Sequence, residues 1–332
     1  MSGADVILRA EEVVKHFPIK DKLFRNSGAI HAVDGVTLDL HEGEVVGVVG
    51  ESGCGKSTLA NMLMLLDAPT SGRILFRGKD ISTFSDDETR TYRREVQMVF
   101  QDTFGSLDPR MPISDALTEP FSVHRDVLPK EHWNDRVREL LALVGLDPDH
   151  ANRYPHQFSG GQRQRICIAR ALALGPKVLV CDEPVSALDV SVQAQVVNLL
   201  KDLRDEFGLS YIFVAHDLSV VRQIADRVAV MYLGQIVEMG EESDVLLHPS
   251  HPYTQALISA LPTPDSEGRM VGERIVLTGE LPSPSDPPSG CRFRTRCWMA
   301  QPRCASEEPA LIDRGTGRPV ACHFVDPASA AS

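Results

Sequence analysis

The segment from Gly50 to Ser57, GESGCGKS, constrains this chain more than any other stretch. A G-x-x-x-x-G-K-S string frees backbone amides to wrap phosphates, places Lys56 to neutralise β- and γ-phosphates, and offers the Ser57 hydroxyl to magnesium. The same letters also arise by chance in glycine-rich turns, so the flanks matter. Before the loop, Glu44 to Val49 is a short, nearly all-apolar β-branched run, as a parallel strand covered on both faces requires. After it, Ser57 to Leu66 is helical in pattern. Strand, glycine loop and helix in that order are what a phosphate cradle needs. Gly50, Glu51, Ser52, Gly53, Cys54, Gly55, Lys56, Ser57 and Thr58 are therefore its candidate residues.

A second half of such a site is written at Val178 to Glu183, VLVCDE, where an apolar strand delivers Asp182 and Glu183 at its carboxyl end, the edge where ligands bind in sheets of this kind. Asp182 suits magnesium, directly or through water. Glu183 is placed to orient and partly deprotonate an attacking water, although a solvated strand-end charge reads the same way. Gln101 after Val96 to Phe100, and His216 after Ile212 to Ala215, also follow apolar strands. Each is weak by itself, since a lone strand-end histidine is more often structural. In company with the loop, Gln101 is expected at the metal and the attacking water, and His216 at the γ-phosphate.

Along the chain, Val6 to Val14 and Ala32 to Leu40 read as strands, with an exposed loop from Lys20 to Gly28 between them. Helical periodicity runs from about Met111 to Leu146. Val178 to Cys181 and Ser210 to Ala215, separated by the helical Ser191 to Phe207, restore a β-α-β alternation and a layered α/β core. A nucleotide-binding domain over residues 1–245 follows. Beyond His248, Pro262, Pro264, Pro282, Pro284, Pro287 and Pro288 break any long helix, and a small separate module over residues 246–332 is expected. With 46 acidic against 34 basic residues the net charge is −12, which repels polyanions and disfavours nucleic-acid partners. No apolar run approaches the roughly 18 residues of a membrane span, and Met1 to Ala10 has no export pattern. The expectation is a cytosolic chain.

Phe158 to Gln162, FSGGQ, followed by Arg163 to Ala171, resembles the signature motif of ABC transporter ATPases and precedes VLVCDE at that family's distance. Ser159, Gly160 and Gly161 place a hydroxyl and bare amides at a helix N-terminus, an anion site. The resemblance implies an α/β fold: a RecA-like core, an antiparallel β subdomain, and a helical subdomain over about 102–175. It also implies that two cassettes pair head to tail, each ATP lying between one chain's phosphate loop and the other's signature. Ser159, Gly160, Gly161, Gln162 and Asp189 would then serve the partner's ATP, with Ser186 to Asp189 crossing the interface. An aromatic residue before the loop stacks on adenine in this family; Phe17 is the candidate, with His16 second. The family more often has tyrosine there, and leucine where this chain has Phe158; stacking needs only an aromatic face.

GESGCGKST, VFQDTFGSLDPR, YPHQFSGGQRQR, DEPVSALDVSVQAQV, HDLSVV, MYLGQIVE and HPYTQAL together resemble the ATPases of dipeptide and oligopeptide permeases, nearest to the F-type subunits of dipeptide permeases. That likeness implies a homologous D-type ATPase partner, two membrane-spanning permease subunits, an extracytoplasmic peptide-binding protein, and a peripheral location on the cytoplasmic face of the membrane. It implies that Asp102 to Arg110 and the helical insert receive the permease's coupling helices. Nickel and other peptide-type importers share these motifs, so they remain alternatives. Soluble ABC ATPases of translation or DNA repair are a further one, although those carry two cassettes or a long coiled coil.

Cys54, Cys167 and Cys181 fall in the loop, a helix and a core strand, where reduced thiols are common. Cys291, Cys297, Cys304 and Cys322 follow C-x5-C-x6-C-x17-C, unlike common zinc knuckles. Four soft thiolates suit iron–sulfur or zinc, and unliganded thiols remain open. The GCRFRTRC and ACHF segments resemble the C-terminal domain of peptide-permease ATPases, some of which hold a four-iron, four-sulfur cluster on such cysteines. The expected cofactors are thus ATP, Mg²⁺ and a [4Fe-4S] cluster, with zinc as the alternative.

Overall fold

A computed structural model of the chain describes residues 5–20, 26–261, 274–315 and 317–325. The first two strands, β1 (Val6–Lys20) and β2 (Asn26–His41), form a long antiparallel hairpin. Both exceed the expected Val6 to Val14 and Ala32 to Leu40. Backbone pairing continues through polar residues as far as Lys20 opposite Asn26, and repeated register shifts, one beside Glu12 at φ 47°, scramble the alternation that marks a strand in sequence. Of the expected loop from Lys20 to Gly28, residues 21–25 lie outside the described residues, as do Pro262 and Pro264 and the segment from Met1 to Ala4.

The chain continues through β3 (Val45–Val49), α1 (Lys56–Leu63), β4 (Ser71–Phe76), the two-residue β5 (Lys79–Asp80), α2 (Asp86–Glu95) and β6 (Val96–Val99). Four helices intervene before the next strand: α3 (Thr103–Ser106), α4 (Ile113–Val123), α5 (Trp133–Leu143) and α6 (Gly160–Leu172). The α/β alternation then resumes with β7 (Val178–Asp182), α7 (Val190–Phe207), β8 (Ser210–Ala215), α8 (Leu218–Ile224), β9 (Arg227–Tyr232) and β10 (Gln235–Glu241). Three short helices complete the described chain: α9 (Glu242–Leu247), α10 (Pro252–Ser259) and α11 (Arg303–Ser306).

These strands make two sheets. An antiparallel one has the order β2-β1-β4-β5, and a mixed one has the order β10-β9-β3-β8-β7-β6, parallel except where β10 pairs antiparallel with β9. The β-branched runs of the mixed sheet are buried on both faces, and alternate residues feed two different cores. On β3, Val45 and Val49 join the cluster that includes the α4–α6 helices, whereas Val46 and Val48 join the cluster beneath the antiparallel sheet. The same split recurs on β8, with Tyr211 and Phe213 to one side and Ile212 and Val214 to the other. A one-residue slip would exchange the cores, so register is strongly fixed. Among the described residues no helix is long and apolar enough to cross a membrane.

The C-terminal segment shares this core. Phe293 is 1% exposed in the same cluster as β8 and β9, its ring 5.2 Å from Tyr232 and 5.5 Å from Tyr253. The chain also runs back along β10, where Met239 N donates to Pro319 O and Ala321 N to Val237 O. Glu238 on that strand is fully buried and accepts from the amides of Ser250 and His251 at 2.8 and 2.9 Å, while burial raises its pKa. Phe293→Ala should therefore cost about 3–5 kcal/mol. Chemical denaturation should show an earlier midpoint; an unchanged midpoint would mean that Phe293 contributes nothing to the shared core.

Candidate functional site

The glycine loop leaves the carboxyl end of β3, which lies between β8 and β9 in the sheet, and runs into α1. Its path needs glycine at two points for steric reasons. Gly50 has φ 157° and a Cβ there would sit 2.2 Å from the Met231 carbonyl oxygen; Gly55 has φ 108° and its Cβ would sit 2.0 Å from the Ala32 carbonyl oxygen. Backbone atoms cannot yield as a side chain can. Lys56 follows, 4% exposed, with its ammonium donating to the carbonyls of Gly50 at 2.8 Å and Glu51 at 3.2 Å, and lying 3.9 Å from a Glu183 carboxylate oxygen. A buried ammonium needs such partners.

The strand-end residues converge on the same place. Ser57 donates through Oγ to Asp182 Oδ1 at 3.0 Å, so two hard oxygen donors from different elements meet beside the loop, the donor type that magnesium prefers. Burial raises the Asp182 pKa, the neighbouring Glu183 raises it further, and Ser57 and Lys56 oppose the rise. Two adjacent carboxylates thus face one ammonium, a local shortage of positive charge that a divalent cation would relieve. Glu183 Oε2 accepts from Gln101 Nε2 at 2.9 Å and lies 3.3 Å from His216 Nδ1. Its backbone sits at φ 45°, left-handed for a glutamate, a conformation that costs about 1–3 kcal/mol and that four other non-glycine residues of the described chain share.

A cleft of about 340 Å³ opens over the loop, lined on one side by Ser52, Gly53, Gly55, Lys56, Ser57 and Thr58 and on the other by Gln101 and Glu183. Phe17, Ile30, Ala32 and Pro284 form its apolar end. Phe17 is therefore at the cleft, and the Lys15 ammonium lies 4.9 Å from its ring centre. His16 is engaged elsewhere, with Nε2 3.1 Å from Asp34 and its ring 4.0 Å from that of His31. Asp34 is paired in turn with Arg292. His216 lines a neighbouring pocket with Glu183, Ser186 and Gln193. Of the loop residues, Cys54 is buried, and Glu51 gives its amide to the Tyr253 hydroxyl and its carboxylate to Arg296.

The signature residues lie off this cleft. Ser159 caps α6: its hydroxyl accepts from Gln162 N at 3.3 Å, and Gln162 Oε1 accepts from Ser159 N at 3.0 Å, a capping box. Gly161 packs closely against α7: a Cβ there would come 2.4 Å from a Val192 methyl, which would have to move. Ser159 and Gly160 are exposed. Asp189 caps α7, accepting from Val192 N at 3.0 Å, and Val190 beside it is 81% exposed.

Cys291, Cys297, Cys304 and Cys322 line one small apolar pocket with Phe293 and Met299. Burial pushes the Cys291 thiol up to about 11 and raises Cys297 and Cys322 as well, so thiolate there requires a compensating cation. A lone tetrahedral zinc, with Zn–S bonds of ~2.3 Å, draws its sulfurs to about 4 Å of one another. Among the described residues no three cysteine sulfurs lie within 4.8 Å of one another. The other three cysteines are buried free thiols. Sequence reasoning missed Tyr253 and Pro284, and it read Arg292, Arg294 and Arg296 only as charges that offset a cluster on the neighbouring cysteines; Arg292 instead pairs with Asp34 and Arg296 with Glu51, partners far away in the chain that leave no local signal.

Residues 33–186 match the ABC transporter family, and residues 237–304 match the oligopeptide/dipeptide transporter C-terminal region. An oligopeptide transport ATP-binding protein of Bacillus subtilis is 52% identical over 325 residues, covering 97% of this chain and 98% of that protein. The Escherichia coli oligopeptide transport ATP-binding protein is 51% identical, with 98% of each chain covered. The dipeptide transport ATP-binding protein of the same organism is 48% identical, covering 96% and 95%. Among solved structures, a dimeric ATP-binding cassette in a post-hydrolysis state with ADP and phosphate aligns at a TM-score of 0.63 and 32% identity, over 71% of this chain and 98% of that one. The loop geometry makes a direct forecast: Gly55→Ala should abolish binding of a fluorescent ATP analogue while leaving the circular dichroism spectrum intact. Wild-type affinity in that variant would mean that the loop does not hold the phosphates.

Proposed function

The chain belongs to the ABC transporter ATPases of the oligopeptide and dipeptide systems, and from that premise we propose that it energises uptake of short peptides as one ATPase of a paired set. Hydrolysis of ATP coupled to transport is the activity of this family. Similarity over nearly the whole length to peptide-transport ATPases, including the C-terminal region, supports peptide cargo over nickel.

The observation that carries the catalytic reading is the convergence on Glu183, which faces Lys56, Gln101 and His216 together. In this reading Phe17 stacks on adenine. Amides of Ser52 to Thr58, freed by Gly53 and Gly55, enclose the phosphates, and Lys56, aimed by its loop carbonyls, neutralises the β- and γ-phosphate oxygens. Ser57, Asp182 and Gln101 would hold Mg²⁺, which supplies charge neutralisation at the phosphates. Glu183 accepts a proton from the attacking water as the γ-phosphoryl leaves ADP, and His216 contacts that phosphoryl group, so that ATP and water give ADP and phosphate. Ser159, Gly160, Gly161, Gln162 and Asp189 serve the nucleotide of a homologous D-type partner across a head-to-tail interface, consistent with their position off this chain's own cleft.

Two permease subunits and an extracytoplasmic binding protein complete the assembly, with this chain on the cytoplasmic face. The helices between β6 and β7, including Asp102 to Arg110, face the permease. Residues 246–332 act as a C-terminal module in which Cys291, Cys297, Cys304 and Cys322 would hold a [4Fe-4S] cluster in a structural or regulatory role. Replacing Glu183 by Gln should leave ATP affinity within a few-fold and lower turnover by about 10²–10⁴, with ATP-dependent association on gel filtration. Turnover at the wild-type rate would remove Glu183 as the base. In the assembled complex, ATPase activity should rise with di- and oligopeptides, and a response to nickel alone would overturn peptide cargo.

A further inference from the structure

Glu51, the second residue of the glycine loop, does not line the cleft. Side chains of three residues hold it instead. Its amide donates to the Tyr253 hydroxyl at 2.8 Å, its carboxylate takes both ends of the Arg296 guanidinium at 2.7 and 3.1 Å, and its carbonyl accepts from the Lys56 ammonium at 3.2 Å. The first two partners come from the C-terminal segment and the third is the lysine of the loop itself. The Arg296 side chain is 9% exposed, and both of its terminal nitrogens donate to this carboxylate. A bidentate arginine–carboxylate pair fixes the orientation of both planar groups, and a point-charge lysine cannot reproduce it. Tyr253 is fixed as well, its ring 4.7 Å from Tyr232 and 5.5 Å from Phe293.

The same segment also lines the cleft itself. Pro284 lines the apolar end beside Phe17 and Ile30, and its carbonyl accepts from His31 N at 2.9 Å. We infer that Arg296 is a positioning residue for ATP: through Glu51 it holds the loop carbonyls that aim Lys56, so the C-terminal segment sets nucleotide affinity without touching the phosphates. This rests on reading the cleft as the ATP site. A displacement of about an ångström in such a frame can cost about a hundredfold.

Titration of the full-length protein with a fluorescent ATP analogue, alongside steady-state ATPase assays, tests the inference. Arg296→Ala should weaken affinity about ten- to hundredfold and raise KM for ATP far more than it lowers kcat. Arg296→Lys should recover only part of the loss. Glu51→Gln should show the same direction, and the double variant Arg296→Ala with Glu51→Gln should be no weaker than the worse single one. A merely structural arginine would lower the denaturation midpoint and leave the affinity of the folded protein unchanged, and that result overturns the inference. Should Arg296→Ala not fold, Glu51→Gln decides in its place, with wild-type affinity and KM overturning the inference. Lys56→Ala separates the two readings. If it loses ATP binding while the folded Arg296 and Glu51 variants keep theirs, only this inference fails; if it retains binding, the cleft assignment falls and takes the inference with it.

Discussion

Lys56, a lysine with 4% of its surface exposed, sits at the carboxyl end of a sheet, and the rest of the site follows from the need to keep its ammonium there. A buried cation without partners is costly, so the chain must bend its own carbonyls back over Lys56 and bring a carboxylate near. Bending that tightly leaves no room for a Cβ at Gly50 or Gly55, each pressed against a carbonyl of another segment. Those carbonyls, from Met231 and Ala32, belong to β9 and β2, one from each sheet. The phosphate loop is therefore the seam between the antiparallel and the mixed sheets, and its shape depends on both being in register.

The mixed sheet can serve two cores at once because its central strands are apolar on both faces. Alternate residues of β7 and β8 belong to different clusters, so the strand ends that carry Asp182, Glu183 and His216 are gripped from above and below. Rigid strands ending in polar residues give the site its convergence. The φ of 45° at Glu183 is tolerated because the residue just before it is locked in β7, while its own amide is tied to Val214 O at 3.0 Å.

Much of this was legible in the amino-acid sequence. The strand, loop and helix around Lys56, the strand ending in Asp182 and Glu183, and the capped helix after Ser159 are local patterns, each fixed by residues within a few positions. The hairpin of β1 and β2 was underread because polar residues such as Lys15 and His16 pair through their backbones, which composition does not report. What stayed hidden was long-range. Nothing near Arg292 or Arg296 says that their partners are Asp34 and Glu51, and nothing near Pro284 places it at the apolar end of the cleft. Side-chain pairing across hundreds of residues is decided by the assembled core, into which Phe293 and Tyr253 draw the C-terminal segment.

That last pairing bears on how the protein is made. Glu51 and Arg296 are separated by 245 positions, so synthesis delivers the phosphate loop long before the arginine that grips it. The loop, its strand and its helix are already outside the ribosome while Arg296 has still to be joined to the chain. Until then Glu51 lacks its counter-charge, and Tyr253, which receives its amide, also arrives late. The final shape of the oldest part of the site is thus set by some of the youngest residues of the chain, and a product truncated before residue 296 would carry every motif of the cleft and still lack its finished form.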